Sequence, residues 1–197
     1  IYNLAENKLF KINRSITGKG IIKTLKIIKL QYKHLKIKKI RSGSKTFDWK
    51  IPPAWNIKKA YVIDKNNEKI IDFEKSNLHI VNYSKPIKII LKRDDLLKKI
   101  YSLPAQPDAI PYVTSYYKRD WGFCCTHKTK KKIFEQYKKN DLFKVEILSS
   151  HNTKGYLNYG ELCLPGKSEQ EILISTYLCH PSMANNELSG PIVSMSL

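Results

Sequence analysis

The stretch Glu171–Gly190, EILISTYLCHPSMANNELSG, decides how the rest of the chain is read. It opens on an apolar run, Ile172, Leu173 and Ile174, with Tyr177 and Leu178 following. A continuous rather than alternating run has the signature of a strand covered on both faces, as in the middle of a parallel sheet. The run stops at His180-Pro181 and gives way to a small, polar, turn-prone segment. Ligands in open α/β sheets bind just beyond the carboxyl ends of the strands. His180 therefore falls where chemistry is expected, with Asn185, Asn186 and Glu187 within one loop of it. Ser189-Gly190 can then open a helix whose N-terminus favours negative charge.

Working outward, the 197 residues allow one large domain or one and a half small ones, and 42% hydrophobic content is ample for a core. The net charge of +19 comes almost wholly from lysine, since the arginines are Arg14, Arg41, Arg93 and Arg119. Phosphate recognition leans on arginine for bidentate contacts. Lysine travelling with isoleucine and asparagine reads instead as an AT-rich genome filling solvated positions, so a nucleic-acid partner is disfavoured. No apolar stretch reaches the ~18–20 residues of a membrane span, and IYNLAENKLF has no signal-peptide core. Cys124, Cys125, Cys163 and Cys179 have neither CxxC spacing nor a disulfide-framework pattern, which points to reduced thiols and a cytoplasmic setting.

The N-terminal third reads as helical. Leu4, Leu9, Phe10 and Ile12 give residues 1–14 an apolar side, and Ser15 or Thr17 can cap a helix running to about Tyr32. Within SITGKG, Gly18-Lys19 lacks the upstream glycine and the following Ser/Thr of a phosphate loop. LKIKKI (35–40) alternates like a strand. From Thr46 to about residue 128 the texture is that of an inserted β-rich module. AYVID and KIIDF flank KNNE as a hairpin, LHIVNY reads as a further strand, and DDLLKKIYSL as a short helix. KVEILSSH and YLNYGELCLPG then lead into the opening stretch. The expected domains are thus 1–45, an insertion at 46–128, and 129–197 continuing the first. His127, His151 and the Lys128–Lys132 run read as solvated, and Cys179 as a core residue on the face opposite His180. The start at Ile1 and the stop within the first turns of a helix give the expectation of a fragment.

A histidine and a carboxylate converging at a strand end are zinc-compatible, since zinc accepts nitrogen and oxygen ligands, but two ligands do not complete a site. The run GELCLPGKSEQEILISTYLCHPSMANNELSG resembles the co-catalytic zinc aminopeptidase family, which includes bacterial secreted aminopeptidases and glutamate carboxypeptidase. That family carries a Leu-Pro-Gly turn, a strand ending in His-x-Asp, and Ala-x-Asp-Asn-x-Ser-Gly. Leu164-Pro165-Gly166, His180, Ala184, Ser189 and Gly190 match it. RSITGKG, FDWKIPPAW and QPDAIPYVTSYYKRDWGFC extend the likeness to a narrower branch, bacterial aminopeptidase-like proteins with an inserted β domain, often encoded among surface-polysaccharide genes.

The resemblance implies an α/β aminopeptidase-like three-layer fold with an inserted small β-rich domain, incomplete in this chain. It also implies zinc, with His180 as a ligand, and a peptide or amide-bearing small substrate. Two departures bear on activity. Ser182 replaces the Asp of His-x-Asp, removing a carboxylate that would orient the histidine. The metal-bridging position falls on the neutral Asn186, while Glu187 follows one residue later and can serve as a metal ligand if the loop register slips. The competing reading of Glu187 is a carboxylate compensating a helix dipole. Further ligands and the general base of the family lie beyond Leu197. A hydrolase and a non-catalytic binding protein on the same fold are therefore both kept open, as is a homo-oligomer of the full-length protein.

Overall fold

The computed structural model describes residues 2–197. In chain order it runs from a π-helical turn at Leu4–Leu9 through α1 (Lys19–Gln31), β1 (Lys36–Arg41), β2 (Lys45–Thr46) and β3 (Trp49–Lys50). β4 (Ala54–Ile63), β5 (Lys69–Asp72), β6 (Ile87–Lys92), α2 (Arg93–Leu97), β7 (Ile100–Tyr101), β8 (Phe123–Cys124) and α3 (His127–Gln136) follow. β9 (Leu142–Asn152), β10 (Tyr156–Glu161), a π-helical turn at Ala184–Leu188 and α4 (Ser189–Ser194) complete it. The chain forms two compact units. One comprises the sequence up to Trp55 together with Asn152–Leu197, the other Asn56–His151.

The Asn56–His151 unit is organised by a four-stranded sheet in the order β5-β4-β9-β6. KNNE does turn a hairpin: β4 and β5 pair antiparallel through Val62↔Ile71, with an irregularity between Val62 and Ile63. On β9, Phe143, Val145 and Ile147 alternate inward and sit opposite Leu91, Ile89 and Ile87 of β6. Such cross-strand apolar pairs are the unit of sheet stabilisation. The unit is therefore bounded by β9, at His151, whereas sequence texture alone ended the insertion near residue 128. LHIVNY is not a strand: Asn77–His79 is a single 3-10 turn, capped by Ser76 Oγ, which accepts from Leu78 N–H.

In the other unit β1 pairs antiparallel with β10, from Lys36↔Glu161 to Arg41↔Tyr156. α1 buries Ile21, Leu25 and Ile28. A core of Leu4, Leu9, Ile12, Ile28, Leu35, Leu188 and Ile192 ties the N-terminal turn, α1 and α4 together. Neither Ser15 nor Thr17 caps α1. Ser15 Oγ donates to the Thr17 carbonyl (2.5 Å), while Thr17 Oγ1 accepts from Trp55 N–H (3.1 Å). Gly18, in the left-handed region at φ 93°, occupies the cap position instead. Gly20 is needed for space, because a Cβ there would stand 1.9 Å from the Asn13 carbonyl oxygen.

The largest departure from expectation is the opening stretch itself. Residues 171–179 form no strand and pair with none among the described residues. Ile172 and Leu173 are 93% and 89% exposed, and Ile174 and Tyr177 are also exposed. A continuous apolar run requires cover on both faces, and here neither face has it. Only Leu178, at the end of the run, packs against the core cluster.

Candidate metal centre

The site is built where that extended segment turns. After Leu178, the chain bends at His180 to Ser182 and enters the π-helical turn Ala184–Leu188. Ser182 lies in the left-handed region at φ 47°, an uncommon conformation for a non-glycine residue. Its hydroxyl donates to the Phe10 carbonyl (3.4 Å), fastening the corner to the N-terminal segment. Leu188 is buried in the core beside Leu4 and Leu9, which anchors the far end of the turn.

π-turns contain one residue more per turn than an α-helix and recur at functional sites. Within this turn Glu187, rather than Asn186, is the residue directed inward. Glu187 is fully buried, whereas Asn186 is exposed. The Glu187 carboxylate lies 2.5 Å from His180 Nδ1 and accepts the Cys179 backbone N–H at 2.6 Å. Asn186 Oδ1 lies 3.3 Å from the same His180 nitrogen. His180, Asn186 and Glu187, picked out separately in the sequence, thus meet at one point. Glu187 faces His180 and the turn around Cys179.

The sequence reading missed two neighbours. Arg14 is fully buried, and its Nε donates to the His180 carbonyl (2.9 Å) while its Nη1 donates to the Leu9 carbonyl (2.6 Å). Its signal was present in RSITGKG, read for the glycines rather than the cation. Cys179 was expected to face away from His180 by strand alternation. Without a strand that rule lapses, and Cys179 Sγ lies 3.8 Å from Glu187 Oε1. The ligand atoms of Cys179, His180 and Glu187 all fall within 4.8 Å of one another.

Electrostatics follows from this packing. Burial works against the His180 imidazolium, yet hydrogen bonds with Cys179 and Glu187 carry its pKa up to about 10. Burial likewise works against the Glu187 carboxylate. The His180 hydrogen bond and the backbone N–H groups of His180 and Cys179 nonetheless hold it below the usual range. Arg14 is lowered to about 10 by burial, against the attraction of Glu187, and remains a cation at neutral pH. The result is a buried carboxylate paired with His180, within the attraction of the Arg14 cation and with the Cys179 sulfur beside it.

The other expected positions lie elsewhere. His151 belongs to the Asn56–His151 unit, half-buried, with Nε2 3.2 Å from the Tyr83 carbonyl oxygen and its ring edge-on to Tyr83. It is thus a packing residue rather than a solvated one. His127 opens α3, its Nδ1 3.1 Å from Ser102 Oγ. Cys124 and Cys125 are buried free thiols pushed by burial up to about 12 and 11. No helix among the described residues is long and apolar enough to cross a membrane.

Comparison with known proteins places this geometry in context. A family described as "Domain of unknown function (DUF4910)" matches residues 2–197. A Clostridium acetobutylicum protein, named provisionally for polysaccharide biosynthesis with an aminopeptidase-like domain, is 46% identical over 192 residues. The match covers 96% of this chain and 42% of that protein. A crystal structure from the same organism, named provisionally as a peptidase, superimposes with a TM-score of 0.87 at 44% identity. It covers 99% of this chain and 45% of its own. The chain thus spans less than half the length of these relatives, and its fold is of the aminopeptidase-like α/β type with an inserted β-rich unit.

Proposed function

The chain belongs to the DUF4910 family, and on that premise we propose that it carries part of the metal centre of an aminopeptidase-like hydrolase. The substrate class is a peptide, or an amide on a surface-sugar precursor, in keeping with the names of its relatives. The observation that carries this reading is the meeting of half-buried His180 and fully buried Glu187 at 2.5 Å. Nitrogen, oxygen and sulfur donors within 4.8 Å of one another are a donor set that zinc accepts.

In this arrangement His180 and Glu187 are the residues that would hold zinc. A bound zinc supplies a Lewis acid that polarises a carbonyl and acidifies water. The chain's own contribution is orientation. Arg14 fixes the His180 backbone through its carbonyl, and the Cys179 N–H fixes the Glu187 carboxylate. Arg14 also supplies a buried positive charge, so the site is not a bare anionic pocket.

Metal content after equilibration with zinc and dialysis tests the reading. The chain should retain on the order of one ion, and His180→Ala or Glu187→Gln should each weaken retention by more than about tenfold. Zinc retained equally by wild type and both variants refutes it. A second reading, a non-catalytic binding protein on the same fold, is favoured by the exposed, neutral Asn186 at the position where the aminopeptidase pattern has a bridging carboxylate. Zinc retention without cleavage of aminoacyl amides by the full-length protein would favour this second reading.

A further inference from the structure

Resting on the metal reading above, we propose that Cys179 is the third protein ligand of the site, so that the chain holds a single divalent ion through thiolate, imidazole and carboxylate. Three observations carry this further than the His180–Glu187 pair alone.

The first is geometric. Adjacent residues in a strand point to opposite faces, but the chain bends at His180, and the side chains of Cys179 and His180 both reach Glu187 Oε1, at 3.8 Å and 2.5 Å. The three ligand atoms lie within 4.8 Å of one another. Three protein ligands are the number at which a zinc site becomes self-sufficient, with a fourth position left open.

The second is the setting. Glu187 is fully buried, and Arg14, also fully buried, donates to the His180 carbonyl at 2.9 Å, so the turn that carries the donors is held in place. A divalent ion binds as three bonds form to nitrogen, oxygen and sulfur, while the thiol S–H and any N–H on the ligating imidazole nitrogen break and those protons leave to solvent.

The third is ligand softness. A thiolate favours zinc and cobalt over magnesium and calcium, which prefer all-oxygen sites. The proposal therefore specifies which metals the site selects.

Cobalt(II) titration of the full chain tests it, because a thiolate ligand gives a near-ultraviolet charge-transfer band that nitrogen and oxygen ligands do not. The expected result is a saturable band that is lost in Cys179→Ser and kept in Cys163→Ser, whose thiol is exposed. Cobalt affinity should fall by about tenfold or more in Cys179→Ser. A second measurement on the wild-type chain needs no variant to fold: bound cobalt should protect Cys179 from alkylation while Cys163 reacts equally with and without metal. Cobalt bound through His180 without the band, or Cys179 alkylated equally in both states, overturns the thiolate ligand and leaves the His180–Glu187 site standing. Failure to bind cobalt at all overturns the metal reading beneath it.

Discussion

Two segments of this chain are rich in strand-forming side chains and have opposite fates. On β9 the apolar residues alternate, and each inward one meets a partner on β6. Between residues 171 and 178 they run consecutively, and most are exposed. Composition does not separate the two segments. An alternating strand needs cover on one face, which the neighbouring strands and helices of its own unit supply. A continuous run needs cover on two faces, and the described residues supply neither. The His180–Glu187 corner lies just after the uncovered run ends at Leu178, beside the turn Ala184–Leu188 that Leu188 anchors in the core.

The sharpest way to break the comparison is at the two buried points on which it rests. Phe143→Ala removes a fully buried ring, packed edge-on against Tyr137 at 5.0 Å, from the start of β9. A loss of about 3–5 kcal/mol in chemical denaturation is expected. A comparable loss, about 3–5 kcal/mol, is expected for Glu187→Gln, which leaves half-buried His180 without the buried carboxylate it is paired with. The two are told apart by pH. In the metal-free protein the His180 pKa rises from 6.5 to about 10. Its contribution is therefore complete below 6.5 and is lost as pH climbs toward 10. Glu187 is depressed from 4.5, so its contribution is present above that value and lost as pH falls through its lower folded pKa. The pair should be strongest between about pH 4.5 and 6.5. Glu187→Gln should flatten the stability profile on the alkaline side, whereas Phe143→Ala should shift it down unchanged in shape. A flattened profile in both variants would mean that the corner is not an independent charge cluster.

Next in size is Gly20→Ala. In an ordinary helix this exchange stabilises by roughly 1 kcal/mol. Here the new Cβ would stand 1.9 Å from a backbone oxygen, that of Asn13, which cannot swing aside. The sign should invert, with a loss of about 1–3 kcal/mol as the segment carrying Arg14 is pushed from α1. Because Arg14 holds the His180 carbonyl, weaker metal retention should accompany the loss. A stabilised Gly20→Ala protein would refute the close approach.

Tyr137→Phe probes the sheet unit with a smaller change. Its hydroxyl donates to Asp64 Oδ2 (2.8 Å), and burial together with the Asp64 charge lifts its pKa up to about 12. Asp64 keeps backbone N–H donors from Asn66 and Glu68. One neutral donor lost from a satisfied carboxylate should cost about 1 kcal/mol in the melting of the sheet unit, with no effect at the metal corner.

How far the fold could be read from the sequence follows the same division. The β4–β5 hairpin, α1 and β9 were legible because each satisfies its own periodicity with short-range partners. The end of the inserted unit was not, because β9 joins the sheet by pairing with β6 some fifty residues earlier, and no local signal records that. At the site, His180 was legible from a strand end that the structure does not contain. The chain still turns there, and His180 meets Glu187 at the turn. Glu187 was legible only on the condition of a register slip; in the structure it lies in the π-turn, buried against His180. Cys179 and Arg14 were hidden for opposite reasons. An assumed strand pointed the thiol away, and Arg14 reaches the corner from a position 166 residues distant in sequence.

The smallest expected effect is the most direct test of the comparison. Leu173→Ser replaces an apolar side chain that is 89% exposed and has no strand beside it among the described residues. Surface substitutions of this kind change stability by no more than about 0.5 kcal/mol. Denaturation of the 197-residue chain should therefore not distinguish the variant from wild type, while solubility should rise as an apolar patch is broken. A loss near 2 kcal/mol would show that the run is covered on both faces in solution. Residues 171–178 would then be a true counterpart of β9, and the contrast between the two segments would disappear.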